Sequence, residues 1–177
     1  MLVLGDSLSA EYGLVRGAGW VSLLDKRLQT MNVETMNASI SGDTSSGGKS
    51  RLPALLDKYH PAVVVIELGG NDALRGLSLA ASEANFRSMI AAAQKAKTKV
   101  LLVGMQIPPN YGRAYAERFF GLYAKLAKDT GVALVPFLLE GIADKQQLFQ
   151  PDRIHPIAAA HPVMLENVWP HLKPLLR

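Results

Sequence analysis

The sequence predicts an α/β protein, a three-layer α/β/α sandwich on a five-stranded parallel sheet. Short apolar runs rich in β-branched residues alternate with longer segments of helical period. The runs are near-continuous rather than alternating, as in strands covered on both faces. At 177 residues, 49% hydrophobic and 19% charged, the chain is long enough to bury a sizeable core and suits one domain over 1–177.

The first strand is expected at 2–4, where LVL runs into Gly5, and a helix at 20–31 follows it. A second strand is expected at 33–38 and a second helix at 46–59. Strand three, AVVVIEL at 62–68, is the most apolar of the set, and helical period resumes over 82–96. A fourth strand at 100–103, a helix at 115–130, a fifth strand at 132–135 and a last helix at 157–176 complete the chain. No repeat or linker interrupts this alternation, and its crossovers should be right-handed.

Composition excludes several classes of function. The net charge is +4, yet no basic run exceeds two residues, so a nucleic-acid footprint is not expected. Cysteine is absent, which removes disulfides, thiolate catalysis and thiolate metal sites. No apolar run approaches the ~18 residues that cross a membrane. A strand beginning at residue 2 suggests a mature chain from which a leader has been removed.

In an open parallel sheet, ligands bind beyond the carboxyl ends of the strands, where strand order reverses. With the common order 2-1-3-4-5, the loop after strand 1, GDSLSA, lies between NASISGDTSSGG after strand 2 and ELGGNDALRG after strand 3. Ser7 is a hydroxyl on the first of these bends, and a serine nucleophile needs a base held in one tautomer by a carboxylate. His60 and His155 each have an aspartate three residues earlier, Asp57 and Asp152. Asp57 and His60 precede strand 3 and belong to the opposite rim. Asp152 and His155 follow strand 5 and can return to Ser7, with Pro156 suited to the first turn of the last helix. Gly42 offers an unhindered backbone N–H and Asn71 a side-chain amide for an oxyanion, with the Ser7 N–H as a third donor. Taken singly, Gly42 reads as a turn and Asn71 as a cap. Asp6 and Asp72 read as buried turn carboxylates bonded to backbone amides.

Gly5-Asp6-Ser7-Leu8-Ser9, Gly42, Gly69-Gly70-Asn71-Asp72 and Asp152-Arg153-Ile154-His155-Pro156 resemble, in order, the four blocks of the SGNH (GDSL-type) hydrolases. NASISGDTS, RLPALL, LRG and PPNYG are similar to the bacterial branch of multifunctional thioesterase I, lysophospholipase and arylesterase. The resemblance implies the 2-1-3-4-5 order and a catalytic set of Ser7 as nucleophile, His155 as base and Asp152 as its orienter. It also implies an oxyanion hole of Ser7, Gly42 and Asn71, with no metal and no organic cofactor. The expected partner is a small acyl ester or thioester, and the expected state a monomer. Leu74, Leu77, Ile107, Pro108 and Tyr111 follow the catalytic loops and are expected to line an acyl groove, with residues 74–79 as a flap around Gly76.

Two rival functions make different demands on the sequence. A carbohydrate acetylesterase would need an exposed aromatic platform, and aromatic residues make up 7% of the chain, with none expected to cluster near the catalytic blocks. A nucleotide- or flavin-binding module would need a phosphate loop. GDTSSGGKS fails that pattern because glycine stands at 48, where lysine is required.

Overall fold

A computed structural model describes residues 1–176; Arg177, the last residue of the expected domain, and the Pro109 side chain lie outside the described residues. Five parallel strands form one sheet in the order β2-β1-β3-β4-β5. They are β1 (Leu2–Gly5), β2 (Met36–Asn37), β3 (Val63–Glu67), β4 (Lys99–Val103) and β5 (Ala133–Val135). β1 and β3 are buried along their whole length, as near-continuous apolar runs in a covered sheet must be.

The helices are α1 (Trp20–Gln29), α2 (Ser45–Tyr59), α3 (Gly70–Leu74), α4 (Leu79–Lys95), α5 (Arg113–Thr130) and α6 (His161–Leu172). α1 packs against α6, while α4 packs between α2 and α5. Each long helix turns an apolar stripe inward, for example Phe119, Leu122, Tyr123 and Leu126 of α5. Among the described residues no helix is long and apolar enough to cross a membrane.

The second strand is much shorter than the expected 33–38. Val33 still belongs to the turn that ends α1, donating its N–H to the Leu28 carbonyl. β2 is an exposed edge of two residues, so packing does not extend it. Its backbone nevertheless continues along β1, because Ala38 and Ile40 donate N–H bonds to the Val3 and Gly5 carbonyls. That ladder carries the loop holding Gly42 to the level of Ser7.

Helix starts also shift. Ser78 caps α4 by accepting the Ala81 N–H, so that helix begins at Leu79 rather than 82. The expected helix at 157–176 is divided into a 3-10 turn at Ala158–Ala160, α6, and a second 3-10 turn at Lys173–Leu176. Pro156 is not in its first turn, contrary to expectation. It bridges Phe149 in antiparallel fashion, while Pro162 occupies the first turn of α6.

Candidate active site

Three loops at the carboxyl ends of β1, β2 and β3 meet the returning segment 148–157. Ser7 sits in the turn after β1, where Ser9 and Ala10 donate N–H bonds back to the Asp6 carbonyl. The returning segment is a tight hairpin. Gln150 donates its N–H to the His155 carbonyl at 2.7 Å, and Ile157 donates to the Leu148 carbonyl at 2.8 Å. Arg153 takes φ 59° at the bend, which lets Asp152 and His155 face each other across one turn.

The sequence-predicted residues come together here. The Ser7 hydroxyl lies 2.8 Å from His155 Nε2, and His155 Nδ1 lies 2.6 Å from Asp152 Oδ2. The second Asp152 oxygen accepts the N–H groups of Ile154 (2.9 Å) and His155 (3.0 Å). Slight burial pushes the Asp152 carboxyl up, but those N–H groups and the imidazole outweigh it and bring it down to about 2. The carboxylate therefore stays charged beside the ring. Asp57 and His60 lie at the far end of α2, before β3, on the opposite rim.

Gly42 adopts φ 80°, a left-handed turn that suits glycine, and its carbonyl accepts a bond from Arg75 at 3.0 Å. Among the described residues neither the Ser7 N–H nor the Gly42 N–H has an acceptor. Asn71 is the second residue of α3, which follows Gly69, whose φ of 103° turns the chain out of β3. A side chain at Gly69 would meet the Tyr123 hydroxyl at 2.4 Å, a group donated to the Leu68 carbonyl. The Asn71 amide donates to Asp6 Oδ2 (3.1 Å) and to the Asp43 carbonyl (2.9 Å).

Asp6 and Asp72 are buried and accept backbone N–H bonds from Leu8 and Ser45, as expected of turn carboxylates. Asp72 does more than that: it also accepts the hydroxyls of Ser45 and Ser82, tying α3 to α2 and α4.

A cleft of about 490 Å³ opens beside Ser7, within the range of small-molecule sites. Of the expected groove residues, Leu74, Ile107, Pro108 and Tyr111 line it. Leu77 does not: its side chain is exposed, and its carbonyl accepts the Tyr115 hydroxyl. The expectation that no aromatics gather near the catalytic blocks is also corrected. Tyr111, Phe137 and Phe149 line the cleft, and the Tyr12 ring lies 4.3 Å from the His155 ring. Tyr111 and Phe137 are distant in sequence from the catalytic blocks and reach the cleft through the sheet topology, whereas Tyr12 and Phe149 flank the Ser7 and Asp152 blocks in the chain itself.

His161, within the helix expected at 157–176, is buried and its Nδ1 accepts the Trp20 N–H at 3.0 Å. Burial lowers its pKa, so the ring is held neutral at the start of α1. The other missed residue is Glu67, fully buried at the end of β3. Its signal was available: a lone charge closing the apolar run VVVIEL.

Residues 3–163 match the GDSL-like lipase/acylhydrolase family model. The chain is 54% identical to an esterase TesA of Pseudomonas aeruginosa over 99% of its own length and 89% of that protein. It is 43% identical to thioesterase 1/protease 1/lysophospholipase L1 of Escherichia coli, over 99% of this chain and 84% of that one. Among solved structures, the crystal structure of TesA superposes with a TM-score of 0.94 at 55% identity, covering 98% of each chain. The psychrotrophic esterase EstA from Pseudoalteromonas sp., inhibited by monoethylphosphonate, gives 0.93 at 39% identity, covering 99% of this chain and 97% of that one. This chain belongs to the GDSL-like lipase/acylhydrolase family.

Proposed function

We propose that the chain is a serine hydrolase that cleaves carboxylic esters and thioesters through an acyl-enzyme on Ser7. One observation carries the reading: hydroxyl, imidazole and carboxylate stand in a single hydrogen-bonded line of 2.8 and 2.6 Å. In that line His155 removes the Ser7 proton as the oxygen attacks an acyl carbonyl, and Asp152 holds the ring in the tautomer able to accept it. The tetrahedral oxyanion is held by the Ser7 and Gly42 N–H groups and the Asn71 amide. Collapse expels an alcohol or thiol, which takes the proton from His155. A water deprotonated by His155 then attacks acyl-Ser7, and the acid leaves as His155 returns that proton to the Ser7 oxygen. The scheme uses neither metal nor organic cofactor.

The cleft walls favour an acyl chain over a polar one. Leu74, Met105, Ile107, Phe137 and Leu139 are apolar, and each methylene buried there contributes about 0.8 kcal/mol. The names of the relatives cover ester, thioester and lysophospholipid substrates, which agrees with a broad acyl scope. A second reading, a carbohydrate acetylesterase, draws on the half-exposed rings of Tyr12 and Tyr111 near the cleft.

A chain-length series of p-nitrophenyl esters and acyl-CoAs separates the two. For an acyl cleft, kcat/KM rises by up to about fourfold per methylene until the cleft is full. A flat series removes the acyl groove, and activity confined to acetylated sugars favours the second reading. Ser7→Ala should be inactive throughout. The proposal includes a monomer, tested by light scattering after size-exclusion chromatography, and a periplasmic location, tested by fractionating cells that express the gene.

A further inference from the structure

Two carboxyl groups lie beneath the Ser7 turn. Asp6 is 2% exposed and Glu67 is 0% exposed. Glu67 closes β3 in register with Gly5, which brings its side chain under the turn. Its Oε2 accepts the Ser9 hydroxyl at 2.7 Å and the Asp6 N–H at 3.3 Å, while Oε1 is buried with no donor in reach. Asp6 accepts the Leu8 N–H at 3.0 Å and the Asn71 amide at 3.1 Å. The other titratable groups facing the pair are Asp43 and His155 around Asp6 and Tyr123 behind Glu67, with Asp72 beyond.

Two adjacent buried carboxylates cannot both stay ionised at neutral pH. An ionised Glu67 would also leave Oε1 charged and unsatisfied, the costliest form of a buried polar atom. A proton on Glu67 would turn an acceptor-only carboxylate into a group able to donate to Asp6. The N–H donors on Asp6 favour the charge there. Burial, then the Asp6 charge, pushes Glu67 well above its ordinary range, whereas burial raises Asp6 only to about 6.

We propose that Glu67 is a carboxylic acid at neutral pH, hydrogen-bonded to an ionised Asp6, and that this pair positions Asn71 and the Ser7 turn for oxyanion binding. The inference rests on Asn71 being an oxyanion donor. Asp6 takes one amide hydrogen and fixes the amide plane. The second hydrogen is thereby aimed at the loop of Gly42, where it meets the Asp43 carbonyl in the free protein. Asp6 and Glu67 are thus positioning residues that act through Asn71.

The first test uses the unmodified protein at pH 7 and infrared spectroscopy with ¹³C-labelled glutamate. A protonated carboxylic C=O band that shifts with the label and vanishes in Glu67→Gln is expected; its absence overturns the proton assignment. The second test is kinetic. Glu67→Leu and Asp6→Asn should each lower kcat by roughly 10- to 100-fold with KM within about threefold, while Glu67→Gln, which mimics the acid, should recover to within about fivefold of the parent. Asp6→Asn should also remove an ionisation near 6 from the acid limb of the kcat profile. Full turnover in Asp6→Asn, or equal loss in Glu67→Gln and Glu67→Leu, overturns the positioning role. Phosphonate labelling of the parent protein keeps the two readings apart: failure to label Ser7 refutes the hydrolase assignment rather than the carboxyl pair.

Discussion

Asn71→Ala separates the chemistry of the site from its stability. Removing one preorganised oxyanion donor typically costs 10²–10³ in kcat, about 2.7–4 kcal/mol. Here Nδ2 already donates to Asp6 Oδ2 and to the Asp43 carbonyl, so one contact must be shared or released when the oxyanion forms. That exchange offsets part of the gain and places the expected loss near the low end, about 10² in kcat. KM should move by no more than about threefold, because the donor acts on charge that develops in the transition state. The same truncation leaves the buried Asp6 carboxylate short of a donor, a loss of about 1–3 kcal/mol. For a chain of this length that lowers Tm by roughly 2–12 °C. Steady-state hydrolysis of a p-nitrophenyl ester and a calorimetric scan measure the two effects separately. A variant that melts earlier yet turns over within about threefold of the parent would refute the oxyanion role, since its amide would then serve structure alone.

Other outcomes follow from the same contacts. Asp152→Asn should lower kcat/KM by about 10²–10³, less than the ~10⁴ seen where the orienting carboxylate is fully buried, because the Asp152 side chain is 37% exposed. Since Asp152 titrates at about 2, its ionisation should be absent from the pH–rate profile above pH 4. Asp72→Ala strips the acceptor from the Ser45 N–H and from the hydroxyls of Ser45 and Ser82, and urea titration should show a loss of about 3 kcal/mol or more. Glu67 predicts a pH dependence of stability. Its folded pKa lies above the ordinary 4.5, so its contribution is full below pH 4.5 and is lost as pH rises toward the folded value. Glu67→Gln should remove that slope from the unfolding free energy, and an unchanged slope would count against a proton on Glu67.

The central strands were legible because a buried parallel strand can only be a short apolar run, as at Leu2–Gly5 and Val63–Glu67. The Ser7–His155–Asp152 line was legible for a related reason. Asp152 and His155 share one bend that can return to the rim of Ser7, and the resemblance to the SGNH blocks singled out these three residues. Edges and close approaches were not legible. β2 shrinks to two exposed residues because pairing with β1, rather than burial, defines it. The Tyr12–His155 ring contact joins loops far apart in sequence, and Leu77 is exposed outside the cleft, its carbonyl accepting the Tyr115 hydroxyl. Glu67 was passed over because a single charge at a strand end reads as the start of a loop, whereas the strand end is itself under the site.

The most direct measurement treats the protein with a fluorophosphonate and maps the adduct by peptide mass spectrometry. One phosphonylated residue, Ser7, is expected, with hydrolytic activity lost in proportion to labelling and both labelling and activity absent in Ser7→Ala. An active protein that takes no label, or that is inactivated by an adduct elsewhere, would contradict the assignment of Ser7 as nucleophile.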